Sequence, residues 1–492
     1  MGSRLAVTAL IVSAGTIALT LFMPDSELLG RAPEIQRGLT WVSDAAASPV
    51  VWVPLLAGLV LLVMSRRREV PREVSVLQAT LGPIEAAAAP ARRLEATRLA
   101  LASRSSGSDG RALAELLVQA AVRLNASDLH VSPHEAGATI TCRVDGALQP
   151  LLDVDGASCA ELINRLKVLA RLTHYVRDKP QDGQFELATP DGRADVRLSL
   201  LPTRHGEKAV LRLTGLGNEA PRFSELDLPD SVQRQLTLVL SRPQGLVCFT
   251  GPVGSGKTTS IYASVRHLRE TRGNLVQVSS IEDPIEYPIE GVAQTQVNRS
   301  AGLDFAAGLR ALLRQDPNVL VVGEIRDAET ARIATQAGLT GHLILTTVHA
   351  NSAPAVFNRL LEMGVEPSVL ASVSLAVFSQ RLLRRLCPAC RVATPVTDEQ
   401  RAWLESVGES SEGFFTAPGC AECSGSGVAG RRAVFEVMMV TDTLRELLLS
   451  APSSQRLATA ASEEGMVSLS RSALASARAA EVSLAEVLRV AD

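Results

Sequence analysis

Residues 245–259 read GLVCFTGPVGSGKTT, and this stretch decides the fold of the central part of the chain. Residues 246–249 form a short apolar run that is typical of a buried parallel strand. Residues 251–258 match the pattern Gly-x-x-x-x-Gly-Lys-Thr, whose glycines let backbone N–H groups turn inward toward phosphate oxygens. A helix that begins near Lys257 would add its positive N-terminal end. The stretch therefore predicts a strand, a phosphate-binding loop and a helix, whereas a simple glycine-rich turn would not need the Lys–Thr pair.

The loop residues predict the cofactors as well as the fold. Lys257 supplies a point charge for the β- and γ-phosphates of ATP, and the Thr258 hydroxyl can take a coordination position on Mg²⁺. We expect the nucleotide to contact nine consecutive residues: Gly251, Pro252, Val253, Gly254, Ser255, Gly256, Lys257, Thr258 and Thr259. ATP and Mg²⁺ are thus the predicted cofactors of this part of the chain.

Length and composition limit the remaining possibilities. A chain of 492 residues is long enough for two to four domains with full-sized cores. The net charge of −3 and the aromatic content of 3% offer neither a basic surface nor a stacking platform, so we expect no nucleic-acid partner. The seven cysteines show no pattern of a disulfide-stapled secreted domain, which indicates a reducing compartment.

The N-terminal part contains two uncharged stretches, residues 5–23 and 45–64, each long enough to cross a bilayer as a helix. Three consecutive arginines, 66–68, follow the second stretch and favour the cytoplasmic side. We therefore predict a transmembrane hairpin within residues 1–68 that anchors the chain at the cytoplasmic face of the inner membrane. A cleavable secretory signal would export the ATP site to where ATP is scarce. That alternative, a single anchor and two buried core helices remain open.

A linker and a smaller domain are predicted next. Residues 69–110 are rich in Ala, Arg, Ser and Pro and have weak periodicity, which indicates a tether. Residues 111–216 combine helical and strand patterns and predict a small α+β (PAS-like) domain. Arg197 and Arg212 lie on two of its predicted strands. They are either solvated charges or groups that reach nucleotide phosphates when this domain closes on the next.

Residues 225–386 alternate strands and helices in the rhythm of a doubly wound α/β domain, a P-loop (RecA-like) ATPase core. One predicted strand ends in Glu282, Asp283 and, three residues later, Glu286. Carboxylates at the carboxyl end of a parallel strand are well placed to act on a metal ion and on water. An acidic surface turn is the alternative interpretation.

A second strand end carries the predicted catalytic glutamate. Residues 319–322 are apolar and are followed by Glu324, which can orient or deprotonate the attacking water. The position that Asp often fills is Gly323 in this chain. His342 and His349 bracket the next predicted strand, and we interpret them as sensors of the γ-phosphate.

Two further arginines share one face of a predicted helix. Arg310 and Arg314 are four residues apart in the helix predicted over residues 306–314. They are either charges on a solvated face or arginine fingers that point at the site of a neighbouring subunit.

Four cysteines form two closely spaced pairs, and they are Cys387, Cys390, Cys420 and Cys423. Two such CxxC pairs predict a structural zinc site in a module over residues 387–432, because four thiolates complete a tetrahedron and leave no open position. Redox-active pairs are the alternative. Residues 433–492 read as a closing helical subdomain.

Five motifs together resemble a known family. GPVGSGKTT, IEDPIE, LLRQDP, GEIRD and LTGH occur in this order, and the chain over residues 113–492 closely resembles the ATPases that drive type II secretion and type IV pilus assembly or retraction. The resemblance implies a ring-shaped homohexamer with an Asp box at residues 282–286, a Walker B segment at residues 319–327 and a His box around His342 and His349. It also implies that the four arginines approach the nucleotide.

The resemblance suggests a direction of work and a set of partners. The four-cysteine insertion is similar to that of assembly and secretion ATPases rather than retraction motors. The implied partners are the inner-membrane platform and cytoplasmic-ring proteins of a secretion or pilus machine. Departures from the family pattern include Val253 where Thr is usual, Gly338 where Ala is usual, and an apparent membrane hairpin in place of a soluble docking domain.

The sequence therefore predicts a membrane-tethered hexameric ATPase that powers pilus or pseudopilus assembly and protein export. Three other hypotheses stay open: a motor for DNA uptake or transfer, a pilus retraction motor, and a nucleotide-regulated scaffold with little turnover.

Overall fold

The computed structural model describes residues 97–98, 110–189, 192–214 and 220–490, and all of them belong to one structural unit, residues 80–492. The predicted membrane hairpin lies outside the described residues, as does nearly all of the predicted linker. Within the described ranges, no helix has both the length and the apolar character that a membrane span requires.

The N-terminal domain is a six-stranded antiparallel sheet with two helices on one face. Its elements are α1 (Gly110–Arg123), β1 (Asp128–His134), β2 (Gly137–Val144), β3 (Ala147–Asp155), α2 (Gly156–Leu169), β4 (Gln181–Thr189), β5 (Gly192–Thr203) and β6 (Gly206–Thr214). The strand order is β3-β2-β1-β6-β5-β4. Along β5, Ala194, Val196 and Leu198 are buried in the core with the helices, while Arg197 is exposed. The sheet thus keeps one face for the core and one for solvent.

The central domain is a seven-stranded sheet with helices on both faces. Its elements are α3 (Asp230–Leu240), β7 (Gly245–Thr250), α4 (Lys257–Arg272), β8 (Val278–Glu282), β9 (Val292–Gln296), α5 (Phe305–Leu312), β10 (Val319–Ile325), α6 (Ala328–Leu339), β11 (Leu343–Val348), α7 (Ala353–Glu362), α8 (Pro367–Val373) and β12 (Ser374–Leu386). Every residue of β7 and β11 is buried. In β7, Leu246 and Cys248 face one core, and Val247 and Phe249 face the other. This two-sided burial explains the continuous apolar runs in the sequence.

The order and direction of the strands in this sheet determine which strand ends lie at the same edge. With β15 (Val428–Met439) from the C-terminal part, the order is β15-β12-β7-β11-β10-β8-β9, and all neighbours are parallel except β15, which pairs antiparallel with β12. The carboxyl ends of β7, β8, β10, β11 and β12 therefore meet at one edge of the sheet, where ligands bind in open α/β folds.

The C-terminal part follows β12. Its elements are β13 (Val392–Ala393), α9 (Asp398–Ser406), β14 (Phe415–Thr416), β15 (Val428–Met439), α10 (Asp442–Leu449), α11 (Ser454–Glu463), α12 (Leu469–Arg478) and α13 (Leu484–Leu488). The cysteine module is thus an insertion between two paired strands, with Leu386 opposite Val428 at its base. This corrects the boundary predicted at residue 433, because the first residues of the expected helical subdomain belong to a strand of the central sheet.

One buried carboxylate joins the C-terminal helices to the sheet. Glu436 on β15 is 7% exposed, and its oxygens accept hydrogen bonds from the backbone N–H groups of Ala353 (2.7 Å) and Leu469 (3.3 Å). These N–H groups begin α7 and α12. A negative charge is stabilised at the N-terminus of a helix, so Glu436 is held by two helix ends at once.

We expect Glu436→Ala to destabilise the fold by about 2 kcal/mol or more, because two buried N–H groups lose their acceptor. Urea denaturation of the full chain measures the change. Glu463→Ala, which removes an exposed carboxylate from α11, is the control and should change stability by less than about 0.5 kcal/mol. Equal changes in the two variants would contradict this role for Glu436.

Candidate active site

The phosphate-binding loop connects β7 to α4 in a backbone conformation that requires glycine. Gly254 and Gly256 have φ angles of 76° and 87°. A Cβ atom on Gly256 would lie 2.8 Å from the Gln380 side-chain nitrogen. The Lys257 ammonium donates hydrogen bonds to the carbonyl oxygens of Gly251 (2.7 Å) and Pro252 (2.9 Å), so the loop curls around it. The predicted strand, loop and helix are therefore all present.

The electrostatics around Lys257 connect the loop to other strand ends. Burial lowers the pKa of Lys257, the charge of Arg381 lowers it further, and Glu324 acts in the opposite direction. Lys257 thus lies within electrostatic reach of a cation from β12 and a carboxylate from β10.

A cavity of about 450 Å³ lies over the loop and has the size of a small-ligand site. Residues 254–260 line one side, and Glu286 and Gln380 line the cavity beside them. Leu226 and Leu382 add apolar surface. The cavity thus combines backbone N–H groups and charge for phosphates with an apolar area that suits a nucleotide base.

The three carboxylates of the acidic turn have different surroundings. Glu282 is 4% exposed and accepts hydrogen bonds from the Tyr262 hydroxyl, the Ser280 hydroxyl (2.5 Å) and the Gln294 side-chain amide (3.3 Å). Tyr262 also accepts a hydrogen bond from the Glu286 backbone N–H (3.0 Å). Glu282 therefore fixes the turn to α4 from beneath.

Glu286 is the carboxylate of this turn that lines the cavity. Burial raises the pKa of Glu286, and the nearby charge of Glu282 raises it further. A hydrogen bond from the Thr258 side chain and the charge of Arg197 act in the opposite direction. Asp283, by contrast, is exposed and lies 3.9 Å from Arg299. The structure thus brings Glu286 to the predicted Mg²⁺ ligand Thr258 and leaves Asp283 at the surface.

Glu324 lies at the end of β10, and its side chain is only 12% exposed. The Arg326 Nε atom is 2.6 Å from one carboxylate oxygen, and the His349 Nε2 atom is 3.5 Å from the same oxygen. The Thr347 hydroxyl donates to the Gly323 carbonyl (2.8 Å) and ties β10 to β11 just before the glutamate. Glu324 is therefore held in one orientation by groups from two adjacent strands.

The two histidines that were predicted as a pair lie at opposite ends of β11. His349 follows the carboxyl end and approaches Glu324. The His342 carbonyl accepts from the Gly245 N–H (3.0 Å) at the amino end, where β7 also begins, and the His342 ring contacts the Ala337 carbonyl (3.1 Å). The expectation that both histidines sense the γ-phosphate is therefore wrong for His342, because a strand of six residues separates it from the loop edge.

Of the two predicted arginines of the N-terminal domain, Arg197 is the one that lies near the acidic turn. Arg197 and Arg212 are direct neighbours across β5 and β6. Arg212 donates to an Asp128 side-chain oxygen (3.1 Å), and Arg197 is close enough to Glu286 to lower its pKa. Arg197 thus brings a positive charge from this sheet to Glu286, whereas the charge of Arg212 is paired with Asp128.

Arg310 on α5 and Arg314, which follows the end of that helix by two residues, lie elsewhere on the surface. Arg310 is exposed and forms an ion pair with Glu329 on α6, and Arg314 donates to the Arg310 carbonyl (2.8 Å). They do not join the cavity of their own chain, so their predicted action on a neighbouring subunit stays a prediction.

Sequence reasoning missed a polar pair on β12. Gln380 is 3% exposed and accepts from the Ser260 hydroxyl on α4 (2.8 Å). Arg381 donates to the Asn351 carbonyl (2.8 Å), two residues after His349. The pair connects the phosphate loop to the segment that carries the histidine. A Gln–Arg pair within the apolar run of β12 is the signal that could have revealed it.

The four predicted cysteines form one cluster whose sulfur atoms all lie within 4.8 Å of one another. The Cys387–Cys420 and Cys390–Cys423 sulfur distances are 3.9 Å, and the Cys420–Cys423 distance is 3.8 Å. Four thiolates about 2.3 Å from a tetrahedral Zn²⁺ would be separated by roughly 3.8 Å. The residues therefore fit such an ion.

Backbone donors support the thiolate form of one ligand. Burial by itself would raise the pKa of Cys423, but hydrogen bonds from the backbone N–H groups of Cys420 and Gly427, each 3.2 Å long, help to bring it to about 7. This favours the deprotonated sulfur that metal binding requires.

The fold and the site together define the class of protein. A buried parallel sheet, a phosphate-binding loop and a glutamate at an adjacent strand end are the features of a P-loop ATPase. Among solved structures, the chain is similar to the ATPase DotB of Legionella pneumophila, with a TM-score of 0.56, 21% identity and coverage of 77% of this chain and 94% of that one. It is also similar to the pilus retraction motor PilT with bound ADP, with a TM-score of 0.53, 24% identity and coverage of 76% and 96%.

The sequence comparisons identify the family. Residues 106–489 match the family model described as type II/IV secretion system protein. The chain is 43% identical to type II secretion system protein E of Klebsiella pneumoniae over 68% of this chain and 66% of that protein. It is 40% identical to the putative type II secretion system protein E of Escherichia coli K12 over 77% and 76%, and 37% identical to the type IV pilus assembly ATPase PilB of Thermus thermophilus over 76% and 42%. The chain belongs to this family, which confirms the family predicted from the motifs.

The glycine conformations generate a test of nucleotide binding. Gly256→Ala should weaken ATP binding more than tenfold, because the strained φ angle costs about 1–2 kcal/mol and the new Cβ atom would displace the Gln380 side-chain amide, which accepts a hydrogen bond from Ser260 on α4. Gly254→Ala is the matched control, since Gly254 also has a positive φ but a Cβ there would meet no atom within 4 Å. Titration with a fluorescent ATP analogue measures both affinities. Equal losses would show that the contact with Gln380 is unimportant.

Proposed function

We propose that this chain is an ATP hydrolase that powers the assembly of a pilus or pseudopilus and, through it, type II protein secretion across the cell envelope. One observation carries the proposal: Lys257, Thr258, Glu286 and Glu324 converge at the edge of the sheet that carries the phosphate loop. The names of the relatives in type II secretion and pilus assembly support the cellular role.

In this proposal the loop binds and Glu324 performs the chemistry. The loop amides and Lys257 hold the β- and γ-phosphates, and Thr258 and Glu286 hold Mg²⁺, Glu286 directly or through water. Mg²⁺ would neutralise the charge that develops on the phosphates. Glu324 orients the attacking water and accepts its proton, and His349 beside it contacts the γ-phosphate region.

The surroundings of the carboxylates support this division of roles. Glu282 has its oxygens engaged by Tyr262, Ser280 and Gln294, so it positions the turn. Asp283 is assigned a supporting role at the exposed edge of the turn. Glu324 is largely buried, and its neighbours are Arg326, which carries protons, and His349, which can accept one. These surroundings suit a group that must bind and release a proton.

We propose that the working form is a homohexameric ring. Arg310 on α5 and Arg314, two residues after the end of α5, are exposed away from the cavity of their own chain, and in a ring they would reach the phosphates of a neighbouring copy. Arg197 and Arg212 would approach the same phosphates from the N-terminal domain. Closure between domains and between subunits would then be linked to hydrolysis.

The cysteine module would hold one Zn²⁺ with a structural role. Four thiolates fill a tetrahedral ion, so no position is left for a substrate. The insertion between β12 and β15 means that the ion would stabilise the base of those strands.

The location is proposed from the sequence alone. The two uncharged stretches in residues 1–68 would hold the motor at the cytoplasmic face of the inner membrane. There it would meet the platform and cytoplasmic-ring proteins of the secretion or pilus machine.

Glu324→Gln should reduce ATP turnover by about 10²- to 10⁴-fold while nucleotide affinity changes little, because the amide cannot accept the proton of the attacking water. Phosphate release measures turnover, and a fluorescent ATP analogue measures affinity. Glu290→Gln is the control, since Glu290 is an exposed carboxylate near the same acidic turn. Full turnover by Glu324→Gln would remove Glu324 from the reaction.

The purified chain should contain about one zinc ion, and Cys420→Ala should lose it and lower the unfolding temperature. Cys159→Ala is the control, because Cys159 is a buried cysteine of the N-terminal domain and should leave the metal content unchanged. Elemental analysis and thermal unfolding provide the two readouts. Metal-free wild-type protein with an unchanged unfolding temperature would rule out the structural zinc.

A further inference from the structure

A single carboxylate connects the N-terminal domain to the strand that leaves the cysteine module. Asp145 lies in the turn between β2 and β3. One of its oxygens accepts a hydrogen bond from the Gly430 backbone N–H (3.1 Å), and the other lies 3.7 Å from the Arg431 Nε atom. Both oxygens of one carboxylate are therefore engaged by two consecutive residues of another domain.

The turn that carries Asp145 is built to present its side chain. Asp145 and Gly146 have φ angles of 48° and 80°, the left-handed conformations that close a tight hairpin. Arg143 donates to the Gly146 carbonyl (3.0 Å) and braces the turn. The carboxylate is therefore displayed at the tip of a constrained hairpin.

The cysteine module fixes the start of β15, the strand that contains Gly430 and Arg431. The Gly427 N–H donates to the Cys423 sulfur (3.2 Å), and the Gly427 carbonyl accepts from the Cys387 N–H (2.9 Å). Gly430 has a φ of 83°, which lets its N–H turn toward Asp145. Arg431 then pairs with Arg384 in the ladder between β12 and β15. The position of Arg431 thus depends on both the module and the hairpin.

Arg431 and Asp145 also line the cavity over the phosphate loop, together with Lys257 and Thr258. Asp145 contacts the guanidinium at Nε, and the two terminal nitrogens carry four more N–H donors. A guanidinium with free terminal donors is suited to bind phosphate oxygens in a forked geometry.

We propose that Asp145 is a positioning residue that holds the Arg431 guanidinium over the phosphate cavity, so that docking of the N-terminal domain completes the site. This inference rests on the proposed ATP hydrolysis. The side chains of Arg431 and Asp145 are 45% and 29% exposed, and ion pairs of such exposure contribute little to stability. The contact therefore serves the geometry of the site rather than the stability of the fold.

The test compares two isosteric variants of the full-length chain. Asp145→Asn removes the charge but keeps an acceptor for Gly430. Asp153→Asn makes the same change at an exposed aspartate of β3 whose oxygen accepts from the Thr139 hydroxyl (2.7 Å). Asp145→Asn should lower kcat roughly tenfold, because a misplaced charge in the site is costly, and should change KM and the unfolding temperature little. Asp153→Asn should match the wild type in all three.

A double-mutant cycle identifies the partner of Asp145. Arg431→Gln should lower kcat at least as much as Asp145→Asn, and the double variant should be no slower than Arg431→Gln, because Asp145 acts through Arg431. Asp145→Glu should recover part of the lost rate. Wild-type rates for Asp145→Asn, or additive losses in the double variant, would overturn the inference while leaving the proposed function intact. A wild-type chain that binds ATP without hydrolysing it would instead refute the proposed function.

Discussion

The parallel pairing of β7, β8, β10 and β11 is the constraint on which the site depends. Parallel strands in register end at the same edge of a sheet, so every strand brings the chain to that edge and every crossover carries it back to the opposite one. Burial on both faces then fixes each strand, since a slip of one residue would exchange the residues that face the two cores. Lys257, Glu286 and Glu324 are far apart in sequence, and they meet because the strands before them are aligned.

The parts of the site that lie at a single strand end could be predicted from the sequence. A phosphate loop is a strand, a turn and a helix in succession, so its glycines and Lys257 can be recognised within fifteen residues. Glu324 could be recognised in the same way, because only Gly323 separates it from an apolar run. The cysteine pairs could be recognised equally well. Each CxxC turn is local in the sequence, and only one long-range contact, between the two turns, is needed to bring the four sulfur atoms together. Each of these predictions depends on short-range geometry.

The remaining features depend on contacts between distant segments, which no local pattern records. Whether Glu282 or Glu286 lines the cavity is decided by Tyr262 on the neighbouring helix, which engages the first and leaves the second toward Thr258. The direction of β11 in the sheet decides that His349, and not His342, lies at the edge that carries the phosphate loop. β15 was not foreseen as a member of the sheet, because its partner β12 lies on the far side of the cysteine insertion.

The walls of the cavity come from separate parts of the chain, and this has a consequence for a motor. The phosphate loop and Glu286 line the cavity from the central domain, whereas Asp145 lines it from the N-terminal domain, whose sheet has its own core. In the proposed function, a phosphate bound over the loop would add negative charge that attracts Arg197 of the N-terminal domain, so it would favour arrangements in which the two domains approach each other. Release of the cleaved phosphate would remove that charge and weaken the same attraction. A site divided between two cores would thus convert a change in phosphate charge into a change in domain position.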